Sequence, residues 1–192
     1  MPLKKMFGLV LVILFGVSAC SPATKTTPQV SALSLREHYP LLLAEAQQWA
    51  GDAYMGKVDI DFQTDGGTIV ALFGSMSDTD NNLLVTMAAL SDGVTSELSE
   101  GALPLVYGIP ILEEDWKIDS VEAMKMFLAQ EHIQELWLKF PERCSDLSLR
   151  RFWVDNRFVL AWVLTISDCL EVNYTYYFYL DPITGEMLDL SY

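Results

Sequence analysis

The side chains that usually carry hydrolytic or metal chemistry are present in this chain, but their spacing does not assemble a site. Gly74-Ser75-Met76-Ser77-Asp78 resembles the start of a nucleophile elbow and lacks its last glycine. Asp78-x-Asp80-x-Asn82 begins like a calcium loop. Leu83 then stands where a glycine is required, and Ala89 where the bidentate glutamate belongs, so a polar hairpin turn is the better reading. His38 and His132 are the only histidines and lie far apart; Glu131-His132-Ile133-Gln134-Glu135 lacks the second histidine of a zinc helix. The expectation is a non-enzymatic chain with no catalytic residues, no metal site and no cofactor.

The thiols are more informative. Lys4 and Lys5 give a basic start, Met6–Val17 is an almost unbroken apolar run, and Val17-Ser18-Ala19-Cys20 closes it. A basic segment, an apolar core of about 7–15 residues and a small-residue end make a signal peptide. The run falls short of the roughly 20 residues that cross a bilayer as a helix. Val17-Ser18-Ala19-Cys20 resembles a bacterial lipobox. The resemblance implies a diacylglycerol thioether on Cys20 after removal of residues 1–19, leaving the chain lipid-anchored outside the cytoplasm. Ser21, in place of an aspartate, leans toward the periplasmic side of an outer membrane; the outer face of a cytoplasmic membrane is the other address. An ordinary signal peptide cut near Ala19 and an uncleaved anchor are the competing readings.

With Cys20 assigned to lipid, Cys144 and Cys169 remain as an even pair in an oxidising compartment. They flank two strand-like stretches, Leu147–Val154 and Phe158–Ile166. A hairpin turning on Asn156-Arg157 would place the two cysteines opposite each other, within disulfide range. A turn on Asp155-Asn156 would leave them two places out of register but still near. Two free buried thiols are the alternative.

Pro22–Ala32 is rich in Ser, Thr and Pro and reads, within 20–33, as a flexible tether. Ser34-x-x-Glu37 has the form of a capping box, but Pro40 would fall inside that helix, which favours a helix starting at Pro40 and stopped by Gly51. Strands follow at Val58–Phe62, Thr68–Phe73 and Leu83–Leu90, the first alternating Val58, Ile60 and Phe62 with Asp59 and Asp61. Residues 101–118 carry two glycines and two prolines and read as a connector. Asp119 and Glu122 make a capping box for a second helix, whose possible break near Glu131 stays open. Leu147–Val154, Phe158–Ile166 and Val172–Leu180 are the last three strands.

Helix then three strands thus occurs twice. The expected fold is α+β, with two tandem helix-plus-antiparallel-sheet units at 34–100 and 119–192. The closing Asp181-Pro182-Ile183-Thr184-Gly185-Glu186, followed by Met187 and Leu188, and the Trp116–Ala123 approach to the helix are similar to PepSY-like domains. The resemblance covers 111–192 best and 35–98 more loosely. It implies a cystatin-like sheet wrapped on a helix, in a family that includes inhibitory modules for peptidases and has no agreed catalytic residues.

A net charge of −14, spread along the chain, sets nucleic-acid binding aside, since phosphate must be neutralised by Lys and Arg. Aromatics crowd the last strands. Alternation sends Tyr174, Tyr176 and Phe178 to one face and Thr175, Tyr177 and Tyr179 to the other. Tyr177, Tyr179, Trp153 and Trp162 are therefore candidate contacts for a protein or peptide partner, unless the second face covers the neighbouring repeat. The functional expectation is a membrane-anchored binding or inhibitory module of the cell envelope. A carrier of a small apolar ligand and an envelope hydrolase are the alternatives.

Overall fold

The computed structural model describes residues 33–62, 67–88, 93–101, 103–104, 107–140, 143–169 and 175–190. The signal peptide, Cys20, nearly all of the tether, Asp65-Gly66, Ala89–Asp92 and Val172–Tyr174 lie outside the described residues.

The elements in chain order are α1 (Leu35–Trp49), β1 (Tyr54–Asp61), β2 (Thr68–Gly74), β3 (Asn81–Ala88), β4 (Val94–Glu100), a single 3-10 turn (Glu113–Asp115), α2 (Ser120–Leu128), α3 (Glu131–Lys139), β5 (Arg143–Val154), β6 (Arg157–Asp168), β7 (Thr175–Leu180) and β8 (Met187–Leu188). All strands join one antiparallel sheet in the order β4-β3-β2-β1-β5-β6-β7-β8. The α+β class is as expected. The two tandem units are instead two four-stranded meanders fused at β1–β5, where Val58 to Asp61 pair with Leu149 to Asp146. Fusion has a physical reason: each first strand is apolar on one face and would otherwise leave a row of unpaired backbone groups at an edge. Val58 and Ile60 meet Leu149 and Leu147, and one hydrophobic cluster runs through both halves.

Strand β4 escaped notice because Val-Thr-Ser-Glu-Leu-Ser-Glu lacks an apolar alternation, and β8 because it is two residues long. The long second helix breaks at Ala129–Gln130, giving α2 and α3.

Helix α1 starts at Leu35, not at Pro40. Ser34 Oγ accepts from the Glu37 N–H (3.1 Å), as the capping box proposes. Two further N–H groups of the first turn are capped from α2: Leu35 donates to Ser120 Oγ and Arg36 to Asp119 Oδ1, both at 2.9 Å. Pro40 inside the helix removes one backbone bond and costs about 3 kcal/mol. Caps contribute about 1 kcal/mol each, and burying Leu35 about 2 kcal/mol, enough to offset it. These long-range partners are invisible to a local reading.

The three described helices lie on one side of the sheet. Buried Leu35, Tyr39, Leu42 and Ala46 point α1 inward, Ser96 on β4 donates to Glu45 of α1 (2.7 Å), and His132 and Phe140 of α3 and its end contact Phe178 and Tyr176 of β7. The register carries that face across the sheet through Leu98, Leu83, Phe73 and Met55 and, past the irregularity in β1, through Val58, Leu149, Trp162 and Leu180.

Candidate binding surface

The opposite face, on the same register, carries Lys57, Asp59 and Asp61 of β1, Asp146, Ser148, Arg150 and Phe152 of β5, Val163 and Thr165 of β6, and Tyr177 and Tyr179 of β7. No described helix covers it. At its centre, Lys57 Nζ sits 2.7 Å from Asp59 Oδ2. Asp61 and Asp146 face each other across the β1–β5 junction. Burial first, and then the Asp59 carboxylate, push the Asp146 carboxyl above its ordinary value. Arg150, a hydrogen bond donated by Thr165 (3.4 Å) and Lys57 oppose the rise without cancelling it. Ser148, only 1% exposed, has no hydrogen-bond partner for its hydroxyl among the described residues.

Beside this charged strip stands an aromatic shelf. Phe152 and Tyr179 meet edge to face at 5.3 Å, and the Arg150 guanidinium lies 4.9 Å over the Phe152 ring. Tyr177 is exposed next to them, and Lys57 lies 5.9 Å over Tyr107. The arrangement offers ring faces and carboxylates side by side, suited to cationic and apolar side chains of a partner.

The four aromatic candidates separate. Tyr177 and Tyr179 share the face that no described helix covers, as alternation requires. Trp153 is 53% exposed but belongs to the helix side of the sheet, beyond the helices, stacked edgewise on Phe158 at 4.7 Å. Trp162 is fully buried, and its indole N–H donates to the Ile118 carbonyl at 2.9 Å. It is a core residue and offers nothing to a partner. Sequence reading missed Asp146, Ser148, Arg150 and Phe152, although their alternation with Leu147, Leu149 and Arg151 was present as a signal.

The hairpin turns on Asp155-Asn156, both at positive φ (49° and 61°), the conformation of a two-residue type I′ turn. Cys144 therefore faces Ser167, not Cys169. The disulfide forms diagonally, with Cα atoms 5.1 Å apart.

The other chemical candidates are structural. Asp52 accepts from Ser75 Oγ (2.6 Å), Ser77 Oγ (2.9 Å) and the Ser77 N–H (2.8 Å), stitching the α1–β1 and β2–β3 connections together. Those hydroxyl bonds, Ser75's first, hold its carboxyl below the ordinary value. Asp78 accepts from the Asn81 side-chain amide and closes the β2–β3 turn. Among the described residues, no group of three or more His, Cys, Asp or Glu is placed to hold a metal ion. Asp181 Oδ1 accepts from the N–H groups of Ile183 and Thr184 (2.8 Å each), and Gly185 takes φ 75°, so the Asp-x-x-Thr-Gly stretch is a turn between β7 and β8. Near that turn an open groove of about 400 Å³ is lined by Arg157, Phe158, Leu160, Ile183 and the Arg151–Asp115 ion pair (3.1 Å).

No family model matches the chain, so the likeness to PepSY-like domains gains no support there. No curated protein matches it either. The fold is similar to the crystal structure of a protein from Clostridium difficile 630 proposed to be a lipoprotein. The TM-score is 0.52 at 12% identity, over 84% of this chain and 93% of that one. At that identity the likeness is one of fold.

Proposed function

We propose that the chain is a lipid-anchored, extracytoplasmic binding protein that holds a polypeptide partner on the sheet face that no described helix covers, and performs no chemistry on it. The observation that carries the reading is that face. Phe152, Tyr177 and Tyr179 form an aromatic shelf beside Asp59, Asp61 and Asp146, on the side no described helix covers. In a chain of net charge −14, such a surface complements a partner presenting lysine or arginine. The lipobox-like Val17-Ser18-Ala19-Cys20 and a fold shared with a proposed lipoprotein support the anchor on Cys20. The periplasmic side of an outer membrane is the favoured address, ahead of the outer face of a cytoplasmic membrane. No described helix is long and apolar enough to cross a membrane.

The groove beside Arg157 is open and mixed in lining, unlike the enclosed apolar cavity a lipid carrier needs, so the carrier reading takes second place. The test is capture from detergent-solubilised envelope by the native chain and by Tyr177→Ala/Tyr179→Ala. An envelope protein enriched by the first and lost with the second supports the reading. Equal recovery by both overturns the assignment of the face.

A further inference from the structure

We infer that the outer edge of β4 is a strand-addition site for an extended basic peptide segment, on the reading of the chain as a binding protein. Val94–Glu100 pairs with β3 on one side and, among the described residues, with no strand on the other. At the other end of the sheet β8 has two residues, which leaves β4 as the edge long enough to template a partner. The strand is held in place at its far end, where the Gly101 N–H donates to the Asp80 carbonyl (2.7 Å) and the Asn82 side chain donates to the Gly101 carbonyl (2.7 Å).

An edge of this length is an opportunity or a hazard, and its side chains decide which. Leu98 points to the helix side, where its cross-strand partner Leu83 is buried, yet Leu98 remains 53% exposed, with no described strand beyond it. On α1, the stripe Leu41–Glu45 flanks the same edge: Glu45 bonds Ser96, and Leu41, one turn away, is 45% exposed. An added strand would cover both leucines. Glu97 points to the face away from the described helices and Glu100 to the helix side, so the same strand would meet carboxylates on both faces.

These charges select the occupant. Pairing β4 with a second copy over its full length places Glu97 directly against Glu97, and like charges directly opposite are destabilising. A foreign segment with a basic residue opposite Glu97, an apolar residue opposite Leu98 and a basic residue opposite Glu100 meets complementary groups at each position. Read antiparallel, that order is basic–any–apolar–basic. Main-chain hydrogen bonds then give affinity and alternate side chains give selectivity.

The test uses the full chain in detergent micelles and a labelled peptide Thr-Lys-Ser-Leu-Lys-Lys-Thr, followed by fluorescence anisotropy. Strand addition requires that N-methylating the peptide backbone at alternate residues abolishes binding for one alternation and spares it for the other. Glu97→Lys is expected to weaken the peptide at least tenfold and to leave the fold unchanged. Tyr177→Ala/Tyr179→Ala is expected to leave it within twofold, which separates this edge from the aromatic face. Equal loss with both N-methylated peptides, indifference to Glu97→Lys, or no binding at millimolar peptide each overturns the inference. Capture of a partner that depends on Tyr177 and Tyr179 alone would then leave the binding reading standing without the edge.

Discussion

Ser120 Oγ lies 2.9 Å from the backbone nitrogen of Leu35, across 85 residues, and the same hydroxyl donates to the Leu33 carbonyl at 2.6 Å. One buried serine thus closes the start of α1 while forming the first turn of α2. It joins the helical layers of the two halves at the point where the sheet joins them through β1 and β5. Ser120→Ala removes the acceptor for a buried N–H and the donor to a carbonyl. A loss of about 1–3 kcal/mol is expected in denaturant unfolding. Ser34→Ala, whose cap bond is exposed, should cost about 1 kcal/mol or less.

The diagonal disulfide spans 25 residues of sequence. In the chain-entropy account a closure of this size contributes about 3 kcal/mol. Cys144→Ser/Cys169→Ser should therefore unfold at lower denaturant by that amount, and reduction of the native chain should bring it to the same midpoint. The two midpoints are compared with and without a thiol reductant.

Asp146 gives a pH dependence with a definite sign. Its carboxyl is raised in the folded state, by burial and then by Asp59, so the folded chain binds a proton more tightly there than the unfolded chain. The stability from this group is fully present below the unfolded carboxylate pKa and is lost as pH rises through the folded value. Asp146→Asn should raise the thermal midpoint at neutral pH and remove that part of the gain on mild acidification. Asp52 acts oppositely, because its carboxyl is lowered, mainly by Ser75. Its contribution is lost only as pH falls below the ordinary aspartate value, so the two windows do not overlap. Melting curves of Asp146→Asn and Asp52→Asn across pH check the signs.

Alternation made much of this molecule legible. Val58, Ile60 and their polar neighbours, the three strands after the second helix, and the division of Tyr177 and Tyr179 from Tyr176 and Phe178 all follow from a period of two. Local chemistry also announced the Asp119–Glu122 box, where the Asp119 N–H donates to Glu122 Oε2 at 3.1 Å. What stayed hidden is non-local. Pro40 argued against a helix that Asp119 and Ser120 hold in place from 80 residues away. The hairpin register, by contrast, was narrowed to two turns, and positive φ at Asp155 and Asn156 selects the one that sets Cys144 two places off Cys169. The β1–β5 seam that builds the charged strip could not be read from either strand alone, since only pairing brings Asp61 to Asp146.

Trp153 and Trp162 carry the same indole and should respond very unequally to mutation. Trp162→Ala opens a cavity in the core and leaves the Ile118 carbonyl without its donor, with an expected loss of about 3–5 kcal/mol. Trp162→Phe, which keeps most of the volume, should cost less and isolates the hydrogen bond. Trp153→Ala removes a half-exposed ring and should stay within about 1 kcal/mol. Chemical denaturation of the three variants, each with its disulfide intact, checks the ranking.

The aromatic shelf makes the last prediction, because its members contribute unequally to any partner. Phe152 is clamped between Tyr179 and the Arg150 guanidinium, so Phe152→Ala should disturb both neighbours and weaken partner capture through loss of a preformed surface. Tyr177 is exposed, and Tyr177→Ala should reduce capture with no change in thermal midpoint. Arg150→Lys keeps the charge but loses the planar stack. If the shelf works by shape, that variant behaves like Phe152→Ala; if charge alone recruits the partner, it behaves like the native chain. Salt decides between them independently, since a contact made mainly by Asp59, Asp61 and Asp146 weakens steeply as ionic strength rises, whereas one made mainly by Phe152, Tyr177 and Tyr179 does not. Capture measured over a salt series with each variant gives both answers from one set of samples.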